Sequence, residues 1–139
     1  LFYNFDLLFD QLVINILVCE GPIDAAWMGG ISLNNFMPTK IQLDYLHQAK
    51  DSGKNIVFVP DRDSNGLETI EVSIKNGFMV ALPDFGLIKT GNDYHRVKDF
   101  DEGVKIHGRI FALKLLYNEI YSDPFNIRMI SSQWLWRGL

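Results

Sequence analysis

Two short stretches place carboxylates where apolar runs end. "VCEGPIDA" (residues 18–25) closes one run on Glu20 and sets Asp24 four positions later, and "FVPDRDSNG" (58–66) closes another on Asp61 and Asp63. Hard oxygen donors without His or a second Cys suit Mg²⁺ or Mn²⁺, which keep several waters and bridge protein carboxylates to substrate phosphates. In an extended turn Asp61 and Asp63 face one side and Arg62 the other. Asp24 stands one helical turn from Glu20, close enough to join as a ligand or to support one. The chemistry this pattern suggests is metal-assisted phosphoryl transfer. No Gly-rich loop ending in Lys-Ser/Thr is present, so a nucleotidase of the phosphate-loop type is not indicated.

Such acids work only if the fold brings them together, and the apolar runs indicate how. "VINILVC" (13–19) reads as a strand buried on both faces. "PIDAAWM" then reads as a short helix stopped by Gly29 and Gly30, and "ISL" (31–33) as a second strand. "PTKIQLDYLHQAKDSG" has Ile41, Tyr45, Leu46 and Ala49 at helical spacing, with Gly53 as its stop. "NIVFVP" (55–60) is a third strand, a helix starts at Ser64, and "FMVAL" (78–82) is a fourth strand. Residues 83–93 read as irregular, and "RIFALKLLYNEIY" is the clearest helix of the C-terminal part. Strands alternating with helices predict an α/β fold with a parallel sheet covered on both faces. Ligands bind beyond the carboxyl ends of such strands. Glu20, Asp61, Asp63, Asp84 and Asp93 all follow strand ends, which assigns them to one rim.

With 139 residues and 47% hydrophobic content, the chain suits a single domain with a substantial core. The lone cysteine, Cys19, excludes an intrachain disulfide and reads as a small hydrophobe at a strand end, in a reducing compartment. No membrane span is visible, because Asp10, Asn15 and Glu20 interrupt the apolar runs. A cytoplasmic protein is expected, cut from a longer polypeptide since the chain starts at Leu1. The net charge of −4 argues against unaided nucleic-acid binding, but it hides a skew. Between Lys89 and Lys114 six basic residues face four acids. Trp134 and Trp136 read as core or interface.

"VCEGPIDA", followed about forty residues later by "VPDRDSNG", resembles the Toprim domain of DNA primases, type IA and type II topoisomerases and some nucleases. The likeness is to primases of tailed phages, spans residues 13 to about 104, and includes the lead-in "YNFD". It implies a compact four-stranded parallel sheet with flanking helices, here with a helical C-terminal extension over 105–139. It also implies that Glu20, Asp61 and Asp63 are catalytic, Glu20 in proton transfer or metal binding, with Asp24 as a supporting acid. Phage-type members carry a further acidic site after the fourth strand, written Lys-Asp-x-Asn-Asp. In "KTGND", Lys89, Asn92 and Asp93 match and Thr90 replaces the first Asp, which predicts a weak third site. Asp93 then completes the metal set, helped by Asp84. Lys89, Asn92 and Arg96 become substrate contacts.

The resemblance therefore implies a Mg²⁺- or Mn²⁺-dependent nucleotidyltransferase: a primase domain making short RNA primers on single-stranded DNA from ribonucleoside triphosphates, beside a replicative helicase and in the host cytoplasm. The same acids would serve a Toprim nuclease. Thr90 leaves room for a non-catalytic replication domain. None of the five tyrosines, Tyr3, Tyr45, Tyr94, Tyr117 and Tyr121, has a topoisomerase nucleophile context.

Overall fold

The computed structural model describes residues 2–136, apart from the Trp136 side chain, so the expectations for Leu1 and for Trp136 as a packed ring lie outside the described residues. After a 3₁₀ turn at Phe5–Phe9 come β1 (Asn15–Cys19), α1 (Pro22–Met28), β2 (Ile31–Ser32), α2 (Lys40–Asp51) and β3 (Asn55–Phe58). Next follow α3 (Ser64–Lys75), β4 (Met79–Ala81), β5 (Leu87–Thr90) and β6 (Asp93–Arg96). The chain continues through α4 (Phe100–His107), α5 (Arg109–Tyr117), β7 (Ile120–Tyr121) and α6 (Pro124–Trp136). The sheet runs β2-β1-β3-β4-β7, parallel except for β7. The expected parallel α/β sheet with helices around it is present.

Period-two alternation divides the strand side chains between two cores. Leu17, Cys19, Val57, Val59 and Ala81 pack with Met28, Phe100, Val104 and Leu116 on one face. Ile16, Val18, Ile56 and Phe58 pack with Leu46, Ala49 and Phe78 on the other. Local signals fix the helix ends. Thr39 and Gln42 form a capping box on α2, Asp63 caps α3, and α1 stops at Gly29 with φ 68°. No helix among the described residues is long and apolar enough to cross a membrane.

Three features depart from the sequence expectation. The sheet has a fifth, antiparallel strand: the helix expected through "RIFALKLLYNEIY" ends at Tyr117, and Ile120 and Tyr121 pair with Ala81 and Val80. The outer edge of β4 presents unpaired backbone groups, and this pairing satisfies them, extended by the Leu82 N–H donating to the Glu119 carbonyl at 2.9 Å. The C-terminal part is thus built into the sheet, and α6 completes a third core of Ile70, Val80, Leu82, Ile127, Trp134 and Leu135. Finally, residues 83–93 are not irregular throughout, because β5 and β6 form a hairpin. Its turn is Gly91-Asn92 with Gly91 at φ 64°, where glycine leads the turn without a Cβ clash.

Candidate metal centre

The acids at the C-terminal rim are positioned by helix starts. Glu20 follows β1 directly, and Gly21 begins α1, whose first turn holds Asp24. The Asp24 Oδ1 accepts a hydrogen bond from the Asp101 amide at 2.8 Å, tying α1 to α4. Past β3 the chain turns at Pro60, and Asp63 accepts from the Gly66 amide at 3.1 Å. A Cβ on Gly66 would lie 2.0 Å from the Asp61 carbonyl oxygen, so only glycine lets α3 start this close to the acidic turn. Asp99 caps α4 through the Glu102 amide at 2.9 Å, and the Glu102 carboxylate accepts from the Lys98 amide at 3.2 Å.

These carboxyls repel one another in a partly dry setting. Burial, followed by the charges of Asp24, Glu20, Asp99 and Asp63, pushes the Asp61 carboxyl up to about 8. Burial also pushes Asp24 up to about 6; the Asp101 amide opposes this, while Asp99, Asp101 and Glu20 add to it. Asp99 is raised too, chiefly by burial. Burial raises the Cys19 thiol, whose Sγ–H donates to the Gly21 carbonyl at 3.2 Å, so it is no nucleophile at neutral pH.

Arg62, set between two of the acids, lines the same cavity as Asp61 and reaches across to α6. Its side chain is almost fully enclosed: Nε donates to the Trp134 carbonyl at 2.6 Å, and the guanidinium lies 5.1 Å from the Trp134 ring centroid. It also meets Asp84 at 3.3 Å, where Arg96 approaches to 3.6 Å. Burial opposes ionisation of Asp84, yet the Gly86 amide and the two guanidinium groups prevail and hold its carboxyl below the ordinary range. Two arginines sharing one carboxylate leave positive charge beside the acids. Trp134 is a core residue, and its indole N–H donates to the Pro83 carbonyl at 2.7 Å.

The site residues expected from sequence divide into two groups. Glu20, Asp24, Asp61 and Asp63 lie along one rim: Asp24 and Asp61 line one cavity with Asp99, Glu20 and Asp61 line a second, and the Asp63 side chain caps α3. Lys89, Thr90, Asn92 and Asp93 instead occupy the exposed hairpin, where Thr90 pairs with Asp93 across the turn. Asp84 is held by Arg62, Arg96 and the Gly86 amide, not by Asp93. Arg96 sits half-buried at the hairpin base, with its Nε enclosed and without a hydrogen-bond partner.

The acids that sequence reasoning missed are Asp99 and Asp101. Asp101 receives the Trp27 indole N–H at 3.0 Å and the Lys105 ammonium at 2.8 Å, so it braces the site while Asp99 faces the other acids. A Lys-Asp pair followed by two acids at a helix start, "KDFDE", was the available signal.

Among the described residues, no three or more His, Cys, Asp or Glu side chains converge closely enough to grip a bare ion. The donor set is nonetheless all hard oxygen, in mutual repulsion that a cation relieves. It fits Mg²⁺ or Mn²⁺ bound with much of its water, since Mg²⁺ commonly takes only one or two carboxylates directly. No protein-family model, curated protein or solved structure matches the chain significantly.

Proposed function

We propose that the chain is a Toprim-type catalytic domain that performs Mg²⁺- or Mn²⁺-dependent nucleotidyl transfer, as in the primases of tailed phages. The observation that carries this reading is the cavity beyond the carboxyl ends of β1 and β3 that Asp24, Asp61 and Asp99 line together, with Glu20 beside Asp61 in an adjoining one. Asp61, Asp99 and Glu20 would hold the ion, with Asp63 and Asp24 supporting them. A bound divalent cation supplies charge stabilisation at phosphoryl oxygens and lowers the pKa of an attacking hydroxyl. The chain's own contribution is to keep the acids desolvated and crowded and to hold Glu20 where a proton can be taken. "KDFDE" takes the place first assigned to "KTGND" as the third acidic motif, with Asp99 as its leading acid. On this reading Thr90 stands outside the metal set.

The partners of this reading are a single-stranded DNA template, ribonucleoside triphosphates and a replicative helicase. The test is incubation of the 139-residue chain with template, ribonucleoside triphosphates and Mn²⁺, following dinucleotide formation. Slow synthesis that Asp61→Asn abolishes is the expected result. Metal-dependent cleavage of the template without synthesis would assign the same acids to a nuclease.

A further inference from the structure

We propose that the outward face of the β5–β6 hairpin is a grip for single-stranded nucleic acid, with Tyr94 as a base-stacking platform and Lys89 as a phosphate contact. Residues directly opposite in an antiparallel pair share a face. The register Leu87↔Arg96, Lys89↔Tyr94 therefore gathers Leu87, Lys89, Tyr94 and Arg96 on one side, and Ile88, Thr90, Asp93 and His95 on the other. The second side turns inward only at its base, where Ile88 packs against the core, and Thr90, Asp93 and His95 beyond it are exposed. The first side faces solvent at Leu87, Lys89 and Tyr94, with Leu87 55% and Tyr94 65% exposed, while Arg96 at its base is held half-buried against Asp84. The Lys89 ammonium lies 5.8 Å from the Tyr94 ring centroid.

An exposed aromatic with a lysine ammonium over its ring contributes nothing to the core. It has the composition of surfaces that track a single strand, where rings stack on bases and cations follow the backbone. Charge supports this occupant: residues 86–98 hold three basic residues against one acid in a chain of net charge −4. Position supports it as well. The hairpin leaves the sheet just after Asp84 and returns to α4 just before Asp99, so a strand lying along it leads to the acidic rim. The choice of nucleic acid as partner rests on the nucleotidyl-transfer reading, whereas the face itself does not.

Fluorescence anisotropy of a labelled oligothymidylate, with the 139-residue chain and its variants, tests the grip. Tyr94→Ala is expected to weaken binding about tenfold, and Tyr94→Phe to retain it, because stacking needs the ring and not the hydroxyl. Lys89→Ala is expected to reduce the slope of log affinity against log salt by about 0.7. All three variants should titrate with Mn²⁺ as the wild type does. Unchanged oligonucleotide affinity in Tyr94→Ala, or tighter binding to duplex than to single strand, would overturn the grip and leave the metal reading intact. Loss of metal binding in the wild type would sink the catalytic reading without touching the grip.

Discussion

At the scale of single residues, the chain places carboxyls where their charges conflict. Asp61 binds its proton more tightly folded than unfolded, because burial and Asp24 oppose its ionisation. The folded state therefore holds more protons between the ordinary Asp value of about 3.9 and the raised values near 6 and 8. Over that window the metal-free protein should lose stability as pH rises, and Asp61→Asn should flatten the fall. Melting temperatures of both proteins in chelator across pH 5 to 9 check this, and parallel curves would contradict it. Thr90→Asp, on the exposed hairpin tip, should leave Mn²⁺ stoichiometry and affinity unchanged, whereas Asp99→Asn should weaken binding at least about tenfold, as seen by calorimetric titration. Glu20, Asp61 and Asp63 were legible in sequence because each follows an apolar run. Asp99 was not, since its proximity to Asp24 and Asp61 arises from α1 docking on α4, a contact that no local pattern announces.

At the scale of elements, the parallel strands were legible for a similar reason: β-branched runs between helix caps read directly as buried strands. The two elements missed were both short. β7 has two residues and exists because β4 offers it a partner. The β5–β6 hairpin has little apolar alternation, and only its Gly91-Asn92 turn marks it. The tightest element junction lies at Gly66, where α3 starts against the Asp61 carbonyl. Gly66→Ala should force α3 away from the acidic turn, destabilising the fold by about 2 kcal/mol and weakening Mn²⁺ binding together with it. Denaturant unfolding and Mn²⁺ titration of the variant test this, and a fully stable Gly66→Ala with normal affinity would show that the turn tolerates displacement.

At the scale of the whole molecule, a sheet of parallel strands collects acids at one rim and sets an arginine pair beside them. The net charge of −4 is then partly a property of the metal-free state, because cation binding neutralises the repelling group. Binding to the native state alone stabilises it by mass action, about 2.7 kcal/mol at a hundred times the dissociation constant. Mg²⁺ should therefore raise the melting temperature more at pH 8 than at pH 5, where protons compete for Asp61 and Asp24. The most direct measurement of the central claim is the number of protons released when the ion binds. Mn²⁺ calorimetry at pH 7 in buffers of different ionisation enthalpy should show release of about one proton per ion, lost in Asp61→Asn and much reduced at pH 9. Binding without proton release at pH 7, or equal release in Asp61→Asn, would contradict a metal centre built on these acids.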